Sequence, residues 1–244
     1  MNEIFLGAEH VFSLYGFAVT NTYLLTLAVL LILSAGAFLV GRKMALLPGG
    51  GQNAAEATLE GFLGFMEPVF GSRGRAEKYL PFIATIFFFV LFSNWAGILP
   101  GVGSVGFFEG THGTFVPFLR SPASDLNFTL ALAITTVIAT HVFGIRELGV
   151  RLHVSRFLNF KGPIEFFVGI LEFISEIAKI ISFSFRLFGN VFAGEVLLVV
   201  IAFLAPYLAP LPFLFLEIFV GFVQALVFAM LTMVFISIAA AEHH

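Results

Sequence analysis

Seven charged side chains, Glu165, Glu172, Glu176, Lys179, Arg186, Glu195 and Glu217, sit within or at the edges of two long apolar stretches near the carboxyl end of the chain. A charge at mid-membrane costs ~2.5–3.5 kcal/mol on insertion scales, so residues of this kind face a partner or water and not lipid. Arg186 is the most informative of them. Its guanidinium keeps its proton at any ordinary pH, so it attracts a carboxylate and repels protons but cannot pass them on. At about 100° per residue, Lys179 falls about 20° from Arg186, and Glu172, Asn190 and Ser182 about 40°, which makes one polar stripe on one helix face. Glu195 comes out about 180° away, on the opposite face of the same helix. On the last apolar stretch Glu217 and Gln224 are about 20° apart, with Gly221 between them. Glu195 and Glu217 lie comparably close to the turn that joins the two stretches, so an antiparallel hairpin is expected to bring them together. Two readings of these charges stand side by side. They pair internally, Arg186 with Glu172 or Lys179 with Glu176, and brace the hairpin; or they line two water-accessible acidic paths, one from each side, separated by a cation.

The elements that must position these residues are apolar helices. Hydrophobic residues make up 59% of the 244 and charged ones 11%, against ~25% charged in a soluble domain. Charge-poor runs cover residues 21–40, 79–100 and 126–145, each near the ~20 residues that a helix needs to cross the hydrocarbon core. Residues 164–204 make a run about twice that long, which implies either one steeply tilted helix or two helices. Pro206, Pro210 and Pro212 force a turn, and a last segment, 213–240, follows. Residues 53–70 alternate Ala, Leu, Phe and Met with Glu56, Glu60 and Glu67, the pattern of an interfacial amphipathic helix. The fold expected is an all-α membrane protein, a single membrane domain over residues 1–244, with five transmembrane helices plus the interfacial one. Its last two spans form a long tilted hairpin, and residues 1–20 form an outer segment.

Basic residues set the orientation. Arg42, Lys43, Arg73, Arg75 and Lys78 follow the first span, and Arg146, Arg151, Arg156 and Lys161 follow the third, whereas Arg120 alone follows the second. The positive-inside rule makes the two basic loops cytoplasmic, the amino terminus external and the carboxyl terminus internal. The first residues carry no basic n-region and no small-residue cleavage site, so no removable signal peptide is expected. Cysteine is absent, which excludes disulfides, thiolate metal sites and cysteine nucleophiles. A net charge of −3 with scattered basic residues argues against nucleic acid as a partner.

The run Ser184-Phe185-Arg186-Leu187-Phe188-Gly189-Asn190-Val191-Phe192-Ala193-Gly194-Glu195 closely resembles the signature of the a-subunit family of F-type ATP synthases, the stator half of the proton channel. The similarity continues through Glu172, Ser175 and Lys179 upstream, Gln224 downstream, and Pro122-Ala123-Ser124-Asp125-Leu126-Asn127 ahead of the third span. It is strong over the last third of the chain and rests elsewhere on hydropathy and segment order. The resemblance implies a chain in a bacterial inner membrane that packs against a rotating ring of c subunits, with b subunits of the peripheral stalk and the other ATP synthase subunits as further partners, protons as cargo and no cofactor. It implies that Arg186 faces the ring and separates two half-channels. Glu195 and Glu217 would belong to the outer half-channel and Glu172 with its neighbours Ser175 and Lys179 to the inner one, with Gln224 and Asn190 as further half-channel residues. One departure stands out: many bacterial members carry histidine where this chain has Glu217, so its outer path resembles a two-carboxylate version. Coupled carboxylates split their titrations, and Glu195 and Glu217 are expected to share a proton.

No Walker A run occurs, so phosphoryl chemistry in this chain is not expected. The alternative from another class is a secondary proton-coupled transporter, which would show inverted repeats with broken helices. An intramembrane hydrolase would need an HExxH pair or a serine with a base beside it. His141, inside the third span, reads either as a core histidine or as a proton relay. Asp125 and Asn127 either cap the third span or line an outer vestibule. His243 and His244 read as a frayed tail.

Overall fold

The structure, a computed structural model, describes residues 7–42, 49–109, 114–155, 157 and 162–241. Lys43, Arg156 and Lys161 of the basic loops and His243 and His244 of the tail lie outside the described residues. Five helices are long and apolar enough to cross a membrane: α1 (Asn21–Arg42), α3 (Arg73–Ile98), α4 (Leu126–Leu148), α6 (Pro163–Leu204) and α7 (Pro210–Ala240). The expected all-α class is observed, and the run of uncertain number is one helix. α6 has 42 residues, about 63 Å at 1.5 Å per residue. That is roughly twice the hydrocarbon thickness, so α6 crosses inclined or projects beyond it. Two small antiparallel β-hairpins add to the helices, β1 (His10–Leu14) with β2 (Phe17–Thr20), and β3 (Gly106–Glu109) with β4 (Thr114–Pro117).

Local chemistry moves the helix ends outward from the expected bounds. α7 begins at Pro210 rather than residue 213 because proline is tolerated in a first turn, where no helical acceptor awaits its missing N–H. α3 begins at Arg73, where the Ser72 side chain accepts from the Arg75 N–H at 3.4 Å. Gly71, in the left-handed region at φ 72°, closes the preceding helix α2 (Gly50–Phe70) through its N–H to the Glu67 carbonyl. Asp125 caps α4, its Oδ1 accepting from the Asn127 N–H at 2.9 Å, which supports the capping reading of that residue. The first β-hairpin turns on Tyr15 and Gly16, both at positive φ, the geometry that suits a two-residue hairpin loop.

α2 is amphipathic. It buries Phe62, Leu63, Met66 and Phe70 and exposes Glu56, Glu60 and Glu67. Arg73 on α3 holds Glu60 through Nη1 and Nη2, each at 2.8 Å, an exposed fork that keeps the Glu60 carboxyl below its usual range. The main core joins α2, α3, α4, α6 and α7 around Tyr79, Ile83, Val90, Leu187, Phe228 and Ile236. α1 stands apart from it, packed on α3 through Leu25, Val29 and Ala96.

Interhelical hydrogen bonds fix the directions. Thr22 at the start of α1 donates to Asp125 at the start of α4, so these two helices run parallel. Lys78 and Tyr79 near the start of α3 bind Glu147 near the end of α4, and Trp95 near the end of α3 donates to the Ile218 carbonyl near the start of α7. One end of the bundle therefore collects both β-hairpins, the 3-10 turn Pro122–Ser124 and the α6–α7 turn. The other collects α2, the short helix α5 (Val150–Ser155) and the basic residues Arg73, Lys78, Arg146 and Arg151.

Candidate functional site

Along α6 the polar residues divide among three settings. In the middle, Arg186 is exposed on the surface of the chain, and its Nη2 donates to Ser182 Oγ, one turn earlier, at 3.1 Å. No ion pair joins it to Glu172 or to any other carboxylate among the described residues. Its exposed sector also holds Ser175, Ser182, Gly189 and Ala193, and a Cβ added at Gly189 would meet nothing. Larger apolar side chains flank it, with Ile181 50% and Phe185 54% exposed. The buried side of α6, formed by Phe183, Ser184, Leu187 and Val191, packs on α4 and α7, and Ser184 shares a hydrogen bond with Thr129 of α4 at 3.1 Å. Asn190 is half-buried, between the two sides.

The carboxyl end of α6 carries Glu195, which the helical arithmetic turns away from Arg186. It meets Arg120, with Nη2 to Oε2 at 3.5 Å. Arg120 also donates to the Gly7 carbonyl at 2.8 Å. Beside it, Glu9 accepts from Asn21 Nδ2 at 3.1 Å, and burial pushes the Glu9 carboxyl up against the opposing pull of Arg120. Glu217 lies against α6: a Cβ placed on Gly194, the residue before Glu195, would stand 2.8 Å from its Oε1. Glu217 Oε2 is buried without a hydrogen-bond partner among the described residues, and so are Gln224 Nε2, Asn94 Oδ1, Ser93 Oγ and Ser121 Oγ. Asn94 reaches α7 between Glu217 and Gln224, donating from Nδ2 to the Gly221 carbonyl at 3.0 Å. Arg120 and Asn94 are absent from the residues that sequence reasoning selects. Asn94 interrupts an apolar span and could have been found by scanning for neutral polar residues as well as charges; Arg120 lies 75 positions before its partner and has no periodic signal.

Toward the amino end of α6, Lys179 pairs with Glu176 at 2.6 Å, as the bracing alternative expected, and stands 4.9 Å from the ring centre of Phe235 on α7. Glu176 also faces His141 of α4, Oε2 to Nε2 at 3.5 Å. Glu172 is half-buried and Ser175 exposed; neither joins this group through a hydrogen bond or ion pair among the described residues. The polar centre at this end is Glu176, which sits about 80° from Arg186 on the helical wheel and so falls off the stripe.

Along α6, then, one cluster of ionisable groups lies toward each end, and Arg186 stands between them on an open face without an ion-pair partner among the described residues. Residues 22–237 match the family model described as ATP synthase A chain. The chain belongs to that family. Relatives bear the name ATP synthase subunit a: one from Moorella thermoacetica is 35% identical over 236 residues, 96% of this chain and 94% of that protein. One from Campylobacter jejuni is 38% identical over 95% of this chain and 92% of its own length, and one from Campylobacter concisus 37% identical over 100% and 99%. As an ATP synthase A chain family member with five apolar helices, the chain is a multi-pass membrane protein of ATP synthesis and proton transport.

Proposed function

We propose that this chain, a single membrane domain over residues 1–244, is the ion-translocating stator of a rotary F-type ATP synthase in the bacterial inner membrane. It offers two half-channels to a ring of c subunits and carries no catalytic site of its own. The observation that carries the reading is Arg186, a permanent cation on an exposed helix face whose described partner is a serine of its own helix. Such a residue needs an anion from another chain or water. The small side chains around it let a second helix approach closely, and a c-subunit carboxylate meets the charge. The b subunits and the remaining ATP synthase subunits hold the chain still while the ring turns.

Glu195, Glu217, Gln224 and Asn190 form the outer path, with Arg120 and Asn94 added. Buried polar atoms without protein partners cost about 1–3 kcal/mol each, and five of them near the same end mark a route satisfied by water. Arg120 counters Glu195, and the shared proton passes between Glu195 and Glu217. Lys179, Glu172 and Ser175 belong to the inner path. With the positive-inside rule, the end holding Arg146 and Arg151 is cytoplasmic, the amino terminus external and the carboxyl terminus internal. Moving one charge through ~100 mV supplies ~2.3 kcal/mol, which biases rotor steps only if protons cannot pass straight from one path to the other; the fixed charge of Arg186 prevents that.

The test is ATP-driven proton pumping and ATP synthesis in inverted vesicles carrying the assembled complex. Arg186→Ala is expected to reduce both to background, whereas coupled pumping by that variant would refute the barrier role. Arg186→Lys is expected to fail as well, completely or in part, because the fork and the fixed charge both change. Glu217→Gln is expected to slow proton flux; wild-type flux in that variant would remove the shared proton from the outer path.

A further inference from the structure

Two histidines occupy the end of the bundle that the basic residues mark as cytoplasmic, and the function just proposed does not use them. His141 of α4 and His153 of α5 are joined ring to ring, Nδ1 of the first to Nε2 of the second at 3.1 Å. The other nitrogen of His141, Nε2, faces Glu176 Oε2 of α6 at 3.5 Å, and Glu176 Oε1 accepts from Lys179 Nζ at 2.6 Å. Four ionisable groups from three helices thus form one line from α5 to the polar stripe of α6. His153 is 4% exposed. The Phe157 ring packs on both imidazoles, its centre 5.8 Å from that of His141 and 6.0 Å from that of His153. From α7 come only apolar or backbone groups, Phe235 beside Lys179 and the Ala239 carbonyl near Gly144 and His153. Gly144 leaves the room that His153 needs, since a Cβ there would stand 2.8 Å from His153 Cε1.

We infer that His141 and His153 are proton-carrying residues of the inner path, passing protons between the cytoplasmic surface and Glu176. The inference rests on the stator reading above. Imidazole is the side chain that changes charge near neutral pH, and its two nitrogens let it take a proton on one side and release one on the other. Protonated His153 gives its Nε2 proton to His141 Nδ1 while the proton already on His141 Nε2 moves to Glu176 Oε2, so two N–H bonds break as one N–H and one O–H form; a ring flip then returns His141 to its first tautomer, and His153 is reprotonated from the cytoplasmic side. Glu176 hands the proton on toward the face that Lys179 and Arg186 share. Lys179 holds Glu176 in reach, and Arg186 stops the proton from continuing to the outer path.

The experiment compares His141→Gln, His153→Gln and Arg186→Ala in inverted vesicles, scoring assembled complex per vesicle together with ATP-driven proton uptake across a range of medium pH. In these vesicles the medium bathes the cytoplasmic face, the side from which the proposed path takes its protons. Both glutamine variants keep a polar side chain, and the expected result is normal assembly, uptake lowered by roughly tenfold or more, and a pH profile displaced or flattened relative to wild type. Wild-type rate and profile in both variants overturn the inference. A loss that only tracks the amount of assembled complex, with an unchanged profile, assigns the pair to bracing and overturns it too, as does failure of both variants to assemble. If only His141→Gln fails to assemble, His153→Gln decides alone. Arg186→Ala separates the two claims: normal pumping by that variant defeats the stator reading itself, whereas its silence beside normal histidine variants defeats only the relay.

Discussion

At the scale of single residues, α6 separates charges by facing them differently. Among the described residues Arg186 is held by Ser182, Glu195 by Arg120, and Glu176 by Lys179 and His141. The same helix therefore presents a bare cation in its middle and compensated carboxylates toward either end. Gly194 shows how closely the outer site is built. A Cβ there would be 2.8 Å from Glu217 Oε1 and 3.1 Å from Glu217 Cδ, and the atoms in the way are the far end of a flexible side chain. Gly194→Ala is therefore expected to fold and assemble normally while pushing the Glu217 carboxyl out of place, so that proton uptake per assembled complex falls. Uptake equal to wild type in that variant would show that the position of this carboxyl does not matter. The division of the charges was legible in the sequence, since 3.6-residue periodicity alone separates Glu195 from Arg186. The Lys179–Glu176 pair, three residues apart on one helix, was legible too, but the partners Arg120, His141 and His153 were not, because they come from other elements.

Helix ends and helix pairs decide where these residues stand. Asp125 does two jobs at one end of the bundle, capping α4 through the Asn127 N–H and receiving the Thr22 hydroxyl of α1 at 3.0 Å. Since α1 otherwise packs on the bundle through only a small apolar cluster, this bond sets where its first turn sits. Asp125→Ala is expected to cost about 1–2 kcal/mol, the usual loss for a helix cap plus a buried hydrogen bond. A lowered thermal unfolding midpoint of the detergent-solubilised complex is the measurement, with Asp125→Asn recovering most of the loss because the amide oxygen still caps. The helices themselves were legible: each long apolar run became one helix, and residues 164–204 became a single α6. The ends were legible only roughly, because Pro210, Ser72 and Gly71 act through capping geometry that hydropathy does not register. Both β-hairpins escaped, being strands of four or five residues without a sustained alternation of apolar and polar residues.

Taken whole, the molecule leaves much of α6 uncovered, with Phe167, Phe173, Ile177, Ile181 and Phe185 all at least 46% exposed. In a membrane, lipid or another apolar chain covers them, and the proposed function assigns part of this face to a ring of c subunits. Gentle detergent extraction is expected to co-isolate the chain with a small, very hydrophobic oligomer and soluble ATPase subunits; a lone chain able to transport on its own would favour the transporter alternative. By itself the sequence determined the solvent, the apolar runs that became spans, the apolar hairpin and the presence of costly charges within it. Composition, run length and periodicity act along one chain segment and need no neighbour to be read. Only the tertiary structure decided that Glu176 and not Glu172 centres the inner cluster, that Arg120 holds Glu195, and that His141 meets His153. Those pairings depend on which helix faces are apposed and at what height, and helical periodicity carries no information about the residue that waits on the next helix.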